Sequence, residues 1–338
     1  MSHEELLDQC FKGSSYKLEP LFNEAFKLSR TNFSNFIYFS MPGMVHLETS
    51  FYKAVNRLRF PGISVTGERC YLNCEHCRGK LLETMIPATT PKRLWEVCIK
   101  IKETGGRGCL ISGGSLKDGS VPLMDFVPTV KRVKRELKLD VVIHTGIVYP
   151  RLAEALAKAD IDAAMIDVIG SSETIRNVYH LNLTAHAFDR SLSLLEQNQI
   201  PIVPHIVVGI HYGRIKGERR ALQIISRHRS AALVVVALMP LDQTSMENLR
   251  PPLPLDIARV ILASRFMMPN TPVILGCVRP RGEHKSQTDM LAIRAGVSGI
   301  AYPSEKGYNF AKKAGLDIKF SEECCALAYR NLNSIFKS

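Results

Sequence analysis

The sequence predicts an α/β fold, a TIM-type (β/α)8 barrel, and three observations lead to it. Eight short apolar runs rich in β-branched residues begin after Pro61, amphipathic stretches separate them, and each run is apolar nearly throughout, as strands covered on both faces are. In order the runs are GISVTG directly after Pro61, CLISGG (109–114), VVIHTG (141–146), AAMIDVIG (163–170), IVPHIVVGI (202–210), ALVVVALMP (232–240), PVILGC (272–277) and VSGIAYP (297–303). Between them, stretches such as PRLAEALAKA and FDRSLSLLEQ put apolar residues three and four apart, the helical period. Eight βα units match a barrel in number. An open doubly wound sheet competes, but it normally uses fewer strands and binds its ligand at a switch point. Residues 1–60 read as a helical preamble, with EPLFNEAFKLSR its clearest helix, residues 61–303 as the barrel and residues 304–338 as a C-terminal extension, all in one domain.

Composition narrows the class. Of 338 residues, 46% are hydrophobic and 22% charged, enough apolar material for a large core and too much for a disordered chain. The start, MSHEELLDQCF, is acidic and lacks the apolar centre of a secretory signal. The longest apolar stretches, Ile202 to Ile210 and Ala231 to Leu241, fall short of the roughly 18 residues a spanning helix needs, so a soluble cytoplasmic protein with no membrane partner is expected. Nine cysteines diluted in so long a chain point to metal or catalytic thiols rather than a disulfide scaffold. The net charge of +12 favours an acidic partner.

Three of those cysteines form the pattern Cys70-x3-Cys74-x2-Cys77 directly after the first run, so their loop opens at the carboxyl face where barrel enzymes keep their chemistry. Three thiolates can hold three corners of a 4Fe-4S cubane and leave the fourth iron free for another ligand. A structural zinc site completed by His76 or a distant cysteine is the alternative, although zinc sites favour paired C-x2-C motifs. The triplet resembles that of the radical S-adenosylmethionine (SAM) superfamily. The resemblance implies that the free iron chelates SAM, whose reductive cleavage yields a 5′-deoxyadenosyl radical that removes hydrogen from an unactivated carbon.

Further segments carry the same resemblance. Gly113 and Gly114 end the second run, where paired glycines let backbone approach a ligand, and they resemble the segment that binds the SAM amino group. Asp167 ends the fourth run, where the family places a polar residue against the SAM ribose; a cap for the following helix is the alternative. Ile206 to Ile210 with the following GRIKGE resembles the segment that contacts adenine, which makes Ile210 a cofactor-binding candidate. His144 and His205 fall at or inside the barrel mouth as candidate substrate contacts, or as satisfied core histidines. No catalytic residue is assigned.

From LFNEAFKLSR to Pro303, including TPKRLWEV, MPLDQTSM and MMPNTPVILGCVRP, the chain resembles biotin synthase and its relatives. Biotin synthase holds a second cluster with cysteines of its inner strands and an arginine of the seventh. Arg279 matches that arginine's place, but Cys109 is displaced by one residue, which turns it to the other face, and the third and fifth runs carry His144 and His205 instead. The chain has instead Cys277, the pair Cys324-Cys325 and Cys10 as candidate ligands of an auxiliary iron-sulfur cluster, or as small buried hydrophobes. With the tail SEECCALAY, PHIVVGIHYG and LGCVRP, it looks like the group that includes the two-component lipoyl synthases.

That resemblance implies a sulfurtransferase acting on an octanoyl chain of an acidic lipoyl carrier protein or octanoylated peptide, with a second radical SAM subunit and an electron donor such as ferredoxin. Arg214, Lys216, Arg279, Arg281 and Lys285 are expected to face the carrier, whereas KRVKRELK (131–138) reads as a solvated helix face. The competing enzyme reading is a radical SAM reaction on a small metabolite without sulfur transfer. An iron-sulfur or zinc protein that binds RNA is the non-enzyme reading. It lacks an aromatic-rich basic stripe, so no nucleic-acid partner is expected.

Overall fold

Each of the eight apolar runs forms a strand in the computed structural model, which describes residues 3–43, 49–53, 56 and 58–334. In chain order the strands are β1 (Phe36–Ser40), β2 (Gly62–Ser64), β3 (Ile86–Pro87), β4 (Gly108–Ser112), β5 (Asp140–His144), β6 (Ala163–Asp167), β7 (Ile202–Val208), β8 (Leu233–Ala237), β9 (Val273–Leu275), β10 (Gly299–Ala301) and β11 (Asp317–Ser321). They make one parallel sheet in the order β11-β1-β10-β9-β8-β7-β6-β5-β4-β2-β3. The eight predicted strands are therefore consecutive neighbours, with helices between them on the outer side.

Strand alternation divides the apolar residues into two layers. Val141, Ile143, Ile166, Ile206, Val235 and Leu275 pack outward with the helices. Val142, Met165, Val203, Val234 and Ile274 pack inward. Cys109 belongs to the outer layer, where it meets Cys98 of the helix Pro91–Glu103, while Leu110 faces inward. The same helix starts as TPKRLWEV predicts: Pro91 opens it and Thr90 Oγ1 accepts the Arg93 N–H at 3.1 Å.

The end segments differ from the prediction. Residues 1–60 are not helical throughout, because FIYFS forms β1, and residues 304–338 supply β11. Among the described residues β10 does not bond to β2; β1 lines β10, β11 lines β1, and Phe60 N–H reaches Pro42 O at 3.1 Å across the seam. A bare β10 edge would leave a row of peptide groups unpaired, which the two added strands cover. The sheet is a curled, incompletely closed barrel rather than a fully hydrogen-bonded one.

After β11 the tail turns under the barrel. Cys324, Cys325, Ala326, Leu327 and Leu332 are buried in the inner layer with Val142, Ala163 and Val203. Tyr329 Oη donates to Asp162 O at 2.7 Å, and Arg330 pairs with Asp140 at 2.8 Å and also with Asp162. Asp140 and Asp162 stand at the amino ends of β5 and β6, so the tail plugs the floor opposite the mouth. Cys10 lies instead on the helix His3–Lys12, outside the barrel against the helix Pro254–Met267, where Arg259 binds Cys10 O and Gly13 O. It is remote from the other candidate ligands because its helix packs on the outer layer. Among the described residues no helix is long and apolar enough to cross a membrane.

Candidate functional site

The loop carrying Cys70, Cys74 and Cys77 leaves β2 and is held from three directions. The end of β4 grips it first: Tyr71 N–H donates to Ser115 O at 2.9 Å, and Gly114 N–H to Thr66 Oγ1 at 2.7 Å. A Cβ on Gly114 would stand 2.1 Å from Arg69 O and 2.6 Å from Cys70 Cα, so only glycine lets the two backbones meet. Gly113 is less crowded, with 3.1 Å to Thr66 Cγ2. The loop after β6 grips it second. Glu75 N–H donates to Val178 O at 2.9 Å, and His180 bridges Leu72 O and Glu75 Oε1, each at 2.9 Å. The loop after β8 is third, through Ser245 to Glu75 O at 3.0 Å and Lys80 to Gln243 at 2.9 Å.

None of these restraints uses a thiol. All three cysteines are free; Cys74 is buried, and Cys70 and Cys77 are partly open. The Cys74 thiol donates to Cys77 and holds it well below the ordinary thiol range against the opposing effect of burial, with His76 assisting. Cys74 is pushed up by that same bond, by burial and by its neighbours, so Cys77 ionises first. The three sulfurs do not converge within 4.8 Å of one another, whereas thiolates on one zinc would sit about 3.8 Å apart. Two polar atoms beside them, His76 Nδ1 and Tyr179 Oη, are buried without a partner. Three thiols beside unsatisfied polar groups make the donor-rich pocket that an iron-sulfur cluster requires.

Across the mouth, His144, Asp167 and His205 come from adjacent strands β5, β6 and β7, with Asp167 and His205 in register. His144 Nε2 lies 3.4 Å from Asp167 Oδ1, and the two imidazole rings are 5.7 Å apart. Burial works to raise the Asp167 carboxyl, but the charge and hydrogen bond of His144, then His205 and His76, hold it at about 2. Burial also holds His205 at about 4, so its charge acts on Asp167 only in acid.

Ile210 is buried with Val178, Leu238 and Met246, tying together the loops after β6, β7 and β8. Arg279 departs from its expected place. Its side chain is 0% exposed and is consumed by Asp289 at 2.8 Å, Gly276 O at 2.6 Å, Ala301 O at 2.9 Å and Tyr302 O at 3.2 Å. Lys285 is drawn into the same carboxylate at 3.2 Å. Arg279 is not available to a cofactor or carrier, and Lys285 is drawn away from the mouth, because Asp289 pairs with both under the strand ends. Arg214, Lys216 and Arg281 remain exposed, with Lys216 paired to Glu173. Lys134 of the 131–138 stretch, read as a solvated face, is instead largely covered and pairs with Asp162 at 2.6 Å.

Cys277, at the end of β9, is exposed. Cys325 is raised by donating to Cys324, by burial and by Cys277. Cys324 and Cys325 are adjacent and buried in the tail, and Cys277 influences Cys325 only electrostatically.

Glu218, which ends GRIKGE, is a buried carboxylate that sequence reading missed, bracing the loop after β7. It is 3% exposed; Oε1 accepts the Gly209 N–H at 2.8 Å, and Oε2 has no partner. Burial raises its carboxyl from 4.5 to about 7 against the lowering backbone bonds. A raised folded-state value means that protonation favours the fold. This stability, on the order of 3 kcal/mol, is present below pH 4.5 and lost as pH rises to about 7. Glu218→Gln is expected to flatten the pH dependence of the melting temperature in that window; an unchanged profile would reject the assignment.

A cysteine-bearing loop at the carboxyl mouth of a parallel α/β barrel, with glycine backbone pressed against its first cysteine, is the arrangement the radical SAM resemblance implies. No protein-family model matches the chain. A biotin synthase of Baumannia cicadellinicola subsp. Homalodisca coagulata is 23% identical over 252 residues, 71% of this chain and 70% of that protein. Another, from Synechococcus sp. (strain CC9311), is 26% identical over 193 residues, 55% of this chain and little more than half, 56%, of that protein. The fold is shared with methylornithine synthase (PylB), with a TM-score of 0.62 at 16% identity over 99% of this chain and 93% of that one. It is shared also with the FeFe-hydrogenase maturase HydG from Carboxydothermus hydrogenoformans, with a TM-score of 0.64 at 14% identity over 98% and 78%. These likenesses support a radical SAM protein of the biotin-synthase-related group.

Proposed function

We propose that this radical SAM enzyme inserts sulfur into an unactivated C–H bond of an octanoyl chain on an acidic lipoyl carrier protein or octanoylated peptide, as one component of a lipoyl synthase. The observation that carries the reading is a second set of cysteines outside the cluster loop, Cys277 at the end of β9 and the buried Cys324 and Cys325 of the tail. When bound at Cys70, Cys74 and Cys77, a 4Fe-4S cluster with SAM supplies the 5′-deoxyadenosyl radical for hydrogen abstraction. The chain's own part is positional. Gly114, Ser115 and Glu75 fix the cluster loop, and Asp167 offers its carboxylate toward the mouth.

The second trio of thiols supplies the donors an auxiliary cluster, and hence a sulfur source, requires. Arg214, Lys216 and Arg281 give the carrier a basic surface, and an electron donor such as ferredoxin and a second radical SAM subunit complete the system. A small-metabolite reaction without sulfur transfer is the second reading, favoured by the polar group His144, Asp167 and His205, which an octanoyl chain does not need.

Iron counting separates the two. The anaerobically reconstituted protein is expected to hold about eight irons, falling to about four when Cys277, Cys324 and Cys325 are all replaced by alanine, with SAM cleavage retained. Incubation with octanoyl-lysine peptide, SAM and reductant should add the mass of sulfur. Four irons from the start, with 5′-deoxyadenosine formed but no sulfur gained, would favour the small-metabolite reading.

A further inference from the structure

We infer that the barrel carries a metal site separate from both cysteine sets, formed by His144, Asp167 and His205 and suited to a divalent cation of the Zn2+ or Fe2+ type. Among the described residues this is the one group whose three donor atoms all lie within 4.8 Å of one another. The 3.4 Å between His144 Nε2 and Asp167 Oδ1 is already the separation of about 3.4 Å that two ligands take around a tetrahedral zinc ion.

The surroundings support the donors. His205 Nδ1 bonds to Val203 O at 3.0 Å, which fixes that nitrogen as the protonated one and leaves Nε2 with a free lone pair. This carbonyl-to-imidazole bond is the outer support that metal-bound histidines ordinarily have. Inward-facing Met165 and Val203 add apolar walls around the group. Asp167 has no lysine or arginine partner among the described residues, although the chain has a net charge of +12. A half-buried carboxylate that faces two imidazoles, with His76 further off, is an environment a cation completes.

Two nitrogens and one oxygen match borderline cations, not the all-oxygen shells of Mg2+ or Ca2+ and not thiolate-bound iron. The donors stand on three rigid, adjacent strands rather than on a loop. Three ligands leave further coordination positions open, where a carboxylate or carbonyl oxygen of a substrate can bind.

The test uses the cluster-reconstituted full chain, freed of loose metal and titrated with Zn2+ alone. Calorimetry, metal mass analysis and zinc X-ray absorption are expected to give one zinc per chain beyond the iron, in a nitrogen and oxygen shell without sulfur. His144→Ala and His205→Gln should each weaken zinc binding on the order of 100-fold without changing the iron count. Asp167→Asn, which keeps the side chain's shape, should do the same if an alanine variant folds poorly. Absence of zinc beyond the iron, a sulfur-containing shell, or equal affinity in folded variants would each overturn the site.

Discussion

Replacing Cys70, Cys74 or Cys77 singly by alanine is expected to remove about four irons per chain and to lower SAM cleavage at least about a thousandfold, roughly 4 kcal/mol of barrier. Three thiols are the minimum for a cubane that keeps one iron open, so no spare ligand compensates. The protein should nevertheless stay folded. The loop is held by Tyr71 to Ser115, by Glu75 to Val178 and by His180, and none of these bonds involves sulfur. Iron content, release of 5′-deoxyadenosine and far-ultraviolet circular dichroism together check the prediction. A wild-type protein holding zinc in these three thiols, or variants that keep their iron, would refute it.

Asp289→Ala is expected to lower stability by about 3–5 kcal/mol, because it strands the Arg279 charge where neither side chain reaches water. The carboxylate also accepts the Ser304 N–H at 2.7 Å and the Lys285 ammonium, so its loss frees four donors, two of them on Arg279, at once. Denaturant unfolding of the cluster-free chain measures the change. Combining Asp289→Ala with Arg279→Met should cost less than the sum of the two single changes, as expected for partners in one network. If Arg279 instead faced a cofactor, Asp289→Ala would leave stability near that of the parent chain and alter cluster binding alone. The pair matters to the site through Gly276, whose carbonyl Arg279 grips immediately before Cys277.

Much of this architecture is legible in the chain itself. Period and composition marked all eight barrel strands, because strands buried on both faces must be apolar whatever surrounds them. Local spacing marked Cys70, Cys74 and Cys77, since one short loop supplies all three. The displacement of Cys109 to the helix side was equally readable, because strand parity is local. β1 and β11 were not readable: FIYFS lies within a segment of helical character, and DIKFS is half-exposed at the sheet's edge. Their pairing depends on where β10 ends up.

The same limit applies to the site. The sequence placed Arg279 at the end of a barrel strand, but nothing local says that Asp289, one helix later, neutralises it. It offered Asp167 as a ribose contact and the two histidines as substrate contacts, but not as one group. What the sequence determined by itself are features set within a few residues: strand period, loop spacing and glycine placement. Only the tertiary structure decided which distant side chains share a charge, where the tail cysteines are buried and which cations remain at the mouth. Those outcomes depend on the curl of the sheet and on burial, which no stretch of chain contains alone.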